Sequence, residues 1–281
     1  MKLMLTEKSK AFCDALIKRQ NKDLDAVIGV TGFEGSGKSS LSIQFAKYIA
    51  KHNGTKFTLD KNIIYGDDYE KVIRTLKTMP PKSVIILDEA ISLLYKRNSN
   101  TKNQKKINIL FSIIRQKNYI IFLNIPNITD IDSFYLNHRI LAMIQIFARG
   151  YYYVLGASPN PYAEDKFNIK IASQLYDENM FTDKSHLISI LKRNLPNFLF
   201  WSRVYNLDPE YYAKYNELKE KYTIKNESDE VEKENKKDVM LVKAITELYK
   251  SNPKMTYGRI ATILGTTKYK VKKIITEGKI K

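Results

Sequence analysis

The chain has almost none of the residues that staple or metallate small exported proteins: one cysteine, Cys13, one tryptophan and three histidines among 281 residues. A lone cysteine closes no intramolecular disulfide, and three scattered histidines offer no zinc-ligand spacing. A reducing, cytoplasmic setting is the expectation. Long hydrophobic runs are missing too: nothing approaches the ~20 apolar residues of a membrane-spanning helix. The first stretch, MKLMLTEKSKAFCDALIKRQ, is charged every few residues, so neither a leader nor a membrane anchor is expected. No internal repeat is visible.

Acids are in short supply, with 30 Asp+Glu against 47 Lys+Arg and a net charge of +17. Such a surplus concentrates polyanions around the protein, nucleic acid first. An AT-rich coding bias, which also enriches Ile, Asn and Tyr, is an equally good source of the lysines. The chain is 43% hydrophobic, with apolar stretches alternating with charged ones, as in a folded protein holding one large core or a core with a satellite.

Residues 1–23 read as an amphipathic helix leading to a strand at 26–31 whose unbroken apolar character implies burial on both faces. A glycine-rich loop follows, then a helix over 38–52 stopped by Asn53-Gly54. Further along come a β-like stretch at 62–65, a helix capped by Asp67 or Asp68, a breaker at Pro80-Pro81, and SVIILDEA, a buried strand ending in two acids. A helical region with the polar insert KRNSNTKNQKK precedes two more strands, YIIFLN and RILAMIQIF, and GYYYVLG as an antiparallel edge. This alternation predicts an α/β fold with a mostly parallel sheet flanked by helices. Residues 158–207, punctuated by Pro159, Pro161 and Pro196, read as a peripheral helical extension. LDPEYYAKYNELKEKY is a helix capped by Asp208 with Pro209 in its first turn. Residues 226–238 are nearly free of apolar side chains and read as an exposed helix or a linker. The resulting division is 1–223 as the main domain, 224–237 as a charged linker and 238–281 as a small all-α domain.

Gly32, Gly37, Lys38 and Ser39 fit G-x-x-x-x-G-K-[ST], the P-loop, between a strand and a helix as that motif requires. Glycines let successive backbone N–H groups turn inward around phosphate oxygens, and the following helix points its positive end at the same charge. Gly32, Glu34, Gly35, Ser36, Gly37, Lys38, Ser39 and Ser40 are therefore the candidate nucleotide-binding residues. Lys38 would reach the β- and γ-phosphates, and the Ser39 hydroxyl would bind Mg²⁺. Asp88, at the end of a buried strand, is the candidate second holder of Mg²⁺. Glu89 stands where a carboxylate can orient or deprotonate an attacking water. No Asn-Lys-x-Asp guanine-reading motif follows the loop, so ATP hydrolysis is the expected chemistry.

Residues 113–147, IIRQKNYIIFLNIPNITDIDSFYLNHRILAMIQIF, resemble the stretch after the acid-bearing strand in the FtsK/HerA superfamily of ring-forming DNA pumps. The matching positions are Arg115 at a helix end, Asn124 with Pro126 after a buried strand, and Asn137 with Arg139. The Asn137–Arg139 pair is one residue closer than the family pattern, and Asn124 replaces the family's usual Gln. The likeness covers roughly residues 24–157. It implies a P-loop NTPase core of RecA/ASCE type, a homo-oligomeric ring, and duplex DNA as the partner. It also implies that Asn124 senses the γ-phosphate or the attacking water, and that Arg115 or Arg139 reaches a neighbour's nucleotide. A compact motor of this kind would suit a virus or plasmid, with viral or plasmid proteins as further partners.

In KMTYGRIATILGTTKYKVKKIIT, Ala261, Gly265 and Val271 have the spacing of a helix-turn-helix: a small residue for close approach, a turn, and an apolar plug. Residues 238–281 hold ten Lys+Arg against three acids. Thr267, Lys268, Lys270, Lys272 and Lys273 lie on or beside the second helix as candidate DNA contacts.

Overall fold

The computed structural model describes residues 4–65, 69–88, 101–131, 133–160, 162–179 and 182–277. The predicted cap at Asp67 or Asp68 and the acid Glu89 lie outside them, as do residues 96–100 of the polar insert. Two compact units are present, Met1–Leu218 and Lys219–Lys281.

The first unit is built on one seven-stranded mixed sheet, mostly parallel, in the order β2-β3-β4-β1-β5-β6-β7. The strands are β1 (Ala26–Gly32), β2 (Ile63–Tyr65), β3 (Val84–Asp88), β4 (Ile120–Ile125), β5 (Ile140–Ala148), β6 (Tyr151–Gly156) and β7 (Phe198–Arg203). β1 to β5 run parallel, while β6 and β7 are antiparallel additions. Every residue of β1, β3 and β4 is buried, because helices cover both faces of a parallel centre and leave no polar side for alternation.

On one face, α1 (Glu7–Gln20) and α2 (Lys38–His52) pack together over the sheet, with Phe12 and Phe45 meeting Phe122, Tyr152 and Phe200. α3 (Leu59–Asn62) leads into β2. The opposite face is a continuous apolar cluster, to which Val27, Ile85, Leu87, Ile121, Leu123 and Met143 contribute from the strands. Around them stand α4 (Tyr69–Thr78), α5 (Thr101–Gln116), α6 (Ser133–His138), α7 (Ile169–Asn179) and α8 (Lys184–Asn194).

Two expectations need correction. GYYYVLG is not an edge strand: β7 pairs along it, with Tyr153 opposite Trp201. The six residues FLFWSR follow Pro196 and show no clean alternation. What makes them a strand is the free edge that β6, the second strand of the β5–β6 hairpin, leaves for them. Residues 158–207 therefore contribute a strand as well as helices. The charged segment 224–237 is not a separate linker either, since α9 runs unbroken from Pro209 to Ser251. No glycine or proline interrupts 210–251, and opposite charges recur four apart, as in Glu217 with Lys221 and Glu232 with Lys236, a spacing that favours helix. The division between the units falls after Leu218 rather than at 223.

The second unit consists of α9 from Lys219 onward, α10 (Tyr257–Ile263) and α11 (Lys268–Glu277). Ile245, Ile260, Ala261 and Val271 form its core. Gly265 turns the chain at φ +62°, and Thr266 N–H bonds back to the Ala261 carbonyl at 2.9 Å. The three predicted motif residues thus take the positions their sizes suit. Among the described residues, no helix is long and apolar enough to cross a membrane.

Candidate functional site

The glycine loop leaves β1 at its C-terminal end, where Gly32 (φ +151°), Gly35 (φ +70°) and Gly37 (φ +104°) take backbone conformations that side chains disfavour. Gly32 has the tightest surroundings: a Cβ there would stand 2.7 Å from the Ile146 carbonyl oxygen and 2.9 Å from Ser36 Oγ. Gly37 caps α2 without a side-chain hydrogen bond, so the first N–H groups of that helix face the loop, as an anion site requires. Lys38 folds back over the loop, its Nζ donating to the carbonyls of Gly32 at 2.7 Å and Phe33 at 3.0 Å. Ser36 Oγ is buried with no hydrogen-bond partner among the described residues. Glu34 is exposed, and Ser39 and Ser40 are half-buried in the first turn of α2.

The strand register explains what stands below the loop. β4 lies between β1 and β3, with Asn124 beside Val30 on one side and Asp88 on the other. Parallel neighbours in register share a face, so Asn124 and Asp88 point the same way and meet: Asn124 Nδ2 donates to Asp88 Oδ1 at 2.9 Å. Ser42, one turn into α2, donates to Asn124 Oδ1 at 2.7 Å and fixes the amide. Ser39 Oγ donates to Asp88 at 3.1 Å to Oδ2 and 3.3 Å to Oδ1. Asp88 itself is 3% exposed.

A residue with no predicted role completes this cluster. Tyr215 on α9 donates its phenol to Asp88 Oδ2 at 2.7 Å and is 4% exposed. Burial, reinforced by the Asp88 carboxylate, pushes this phenol far above the ordinary tyrosine range, so it stays protonated and acts as a donor. Its ring lies 6.2 Å from those of Tyr65 and Tyr212. The segment entering α9 also borders the loop. Val204 comes within 3.5 Å of a Cβ placed on Gly37, Gln44 donates to the Tyr205 carbonyl at 2.6 Å, and the Lys47 ammonium sits 3.8 Å over the Tyr211 ring. Nothing in the sequence marks Tyr215, because 127 positions separate it from Asp88.

These residues fit a magnesium–nucleotide. Magnesium favours oxygen ligands and is held through one or two carboxylates plus the phosphates of its substrate. Ser39 and Asp88 supply a hydroxyl and a carboxylate side by side, and the orphaned Ser36 hydroxyl faces the same small loop. Glu89 follows Asp88 but lies outside the described residues.

The two arginines are elsewhere. Arg139 precedes β5 and Asp25 precedes β1, at the strand ends opposite the loop. There Arg139 Nη2 bonds Asp25 Oδ2 at 2.9 Å and the Phe111 carbonyl at 3.2 Å, with its guanidinium over the Phe111 ring. Arg115 is exposed in the last turn of α5, which leads directly to the start of β4 and so to that same end. Asn137 donates to the Glu164 carbonyl at 3.1 Å. The sheet brings together Lys38, Ser39, Asp88 and Asn124, and does not bring either arginine to them within one chain.

In the second unit, Thr267 Oγ1 accepts from Lys270 N–H at 3.3 Å and opens α11. Lys268, Lys270, Lys272 and Lys273 are exposed, on the turns around the buried Val271.

No family model and no curated protein matches the chain. Among solved structures it is similar to a chain of the E. coli MS115-1 HORMA:CdnC:Trip13 complex, at 11% identity over 70% of this chain and 76% of that one, TM-score 0.37. It is also similar to the N-terminal domain of zonular occludens toxin from Neisseria meningitidis, at 16% identity over 68% of this chain and 98% of that one, TM-score 0.36. Likenesses this distant assign neither family nor activity.

Proposed function

We propose that the chain is a P-loop ATPase of the FtsK/HerA type, a motor that assembles as a ring and moves or remodels duplex DNA for a virus or plasmid. The observation that carries the nucleotide chemistry is the contact between Ser39 and Asp88 beneath a loop whose three glycines hold positive φ. Lys38 would exchange its two loop carbonyls for β- and γ-phosphate oxygens. Ser39 and Asp88 would hold Mg²⁺, which offsets charge on the phosphates. Asn124, oriented by Ser42, is supported as the polar group that reads the γ-phosphate side, and Glu89 is the base for water. Either arginine would act only on a neighbouring subunit, which is why a ring belongs to this reading. Thr267 and the lysines of α11 would contact DNA, the lysines through phosphates.

One observation favours a second reading, a DNA-bound switch without translocation. The helix that presses Tyr215 onto Asp88 also supplies Leu241, Ile245, Leu248 and Tyr249 to the core of the second unit. Steady-state ATP hydrolysis with and without linear duplex DNA, with Lys38→Ala as the blank, decides between them. The motor predicts stimulation that grows with duplex length; slow turnover indifferent to length supports the switch. Hydrolysis no faster than that of Lys38→Ala refutes both.

A further inference from the structure

A carboxylate offers about four lone-pair positions, and Asp88 already receives Ser39, Asn124 and Tyr215. These donors are not equivalent. Ser39 stands on α2 and Asn124 on β4, both packed against β3, and Asn124 is locked by Ser42. Tyr215 comes from the first turns of α9, and its contact with Oδ2 is the shortest of the set. A hydrated magnesium beside Ser39 brings coordinated waters that need a carboxylate acceptor. α2 and β4 hold Ser39 and Asn124 in place, so the Tyr215 bond to Oδ2 is the one to be given up.

We propose that Tyr215 is a latch on Asp88: the phenol and the hydration shell of an incoming magnesium–nucleotide compete for Oδ2, and loading releases the first turns of α9. The latch depends on Mg·ATP binding at this loop, as proposed above. It gives the nucleotide state a physical readout in a helix that continues to Ser251, with no need for Asp88 to move.

Tyr215→Phe keeps the ring, with its neighbours Tyr65 and Tyr212, and removes only the hydroxyl. In the full-length chain without nucleotide, amide hydrogen exchange over 209–218 should run several-fold faster in Tyr215→Phe than in wild type. A non-hydrolysable ATP analogue with Mg²⁺ should bring wild type to the same rates. Binding of a fluorescent ATP analogue should reach half-saturation at about tenfold lower Mg²⁺ in the variant, the scale of one hydrogen bond to a charged group, with metal-free affinity unchanged. Wild-type exchange over 209–218 that ignores Mg·nucleotide overturns the latch even if the variant fails to fold. An unchanged or higher Mg²⁺ requirement in a nucleotide-binding Tyr215→Phe overturns the latch alone. Wild-type binding no better than that of Lys38→Ala overturns the ATPase reading and the latch with it.

Discussion

Replacing Asn124 by aspartate exchanges one NH2 for an oxygen and leaves the shape of the side chain unchanged, yet it should be costly. Asn124 is 1% exposed; its Oδ1 accepts from Ser42 and its Nδ2 donates to Asp88 at 2.9 Å. In the variant the Ser42 bond survives, but the donor that faced Asp88 becomes a second carboxylate oxygen. Two charges ~4 Å apart at an effective dielectric of ~20 repel by about 4 kcal/mol. The alternative is to keep one carboxyl protonated, which restores a donor. From an ordinary pKa of ~3.9 that costs about 1.4 kcal/mol per pH unit, hence about 5 kcal/mol at pH ~7.5 and about 1.5 at pH ~5. Because the pair's folded pKa is raised above the unfolded value, stability falls as pH climbs from ~4 toward the raised pKa and is level above it. Urea unfolding at the two pH values, followed through Trp201 in β7, measures this directly. The expected destabilisation is about 4–5 kcal/mol near neutrality, shrinking by about 3 kcal/mol at the lower pH. Equal destabilisation at both, or none, would refute the pairing of Asn124 with Asp88.

The glycine loop makes a graded prediction. Gly32→Ala forces a Cβ to 2.7 Å from a backbone oxygen and should cost about 2–4 kcal/mol, whereas Gly35→Ala, with nothing within 4 Å, should cost about 1–2 kcal/mol from its positive φ alone. Thermal unfolding of both variants checks the order. At the far end of the sheet, the Arg139 and Asp25 side chains are 22% and 15% exposed. A double-mutant cycle with Asp25→Asn and Arg139→Gln should give a coupling of about 1–3 kcal/mol that persists in roughly 0.5 M salt. A coupling that salt abolishes would place the pair in solvent.

Local signals carried much of the molecule. The P-loop is contiguous, the acid of β3 ends an apolar run, and the two helices after Thr256 are spelled by Ala261, Gly265 and Val271. Each of these is set by neighbours within a few turns of chain. What stayed hidden depends on pairings made across the fold. FLFWSR becomes a strand because β6 offers an edge, and Tyr215 joins the site because α9 passes beside Asp88. Arg139 is a candidate finger by its likeness to a family pattern, and within the chain it is tied to Asp25, a pairing that no local pattern announces. The charged stretch 224–237 misled for a related reason: high polarity suits a linker and a solvated helix alike, and only the absence of glycine and proline separates them.

The strand order also has a consequence for how the protein is made. β1 is the middle of the parallel sheet and leaves the ribosome first, but both of its partners, β4 and β5, are encoded roughly a hundred residues later. At synthesis rates of ~5–20 residues per second, an apolar strand meant for full burial waits on the order of 10 s with both edges bare. The centre of the sheet therefore cannot close until more than half of the chain has been made, and only the antiparallel edge of β6 with β7 closes later. Production of this chain is a race between elongation and adhesion of that strand to other nascent chains, and slower translation after β1 lengthens the odds against it.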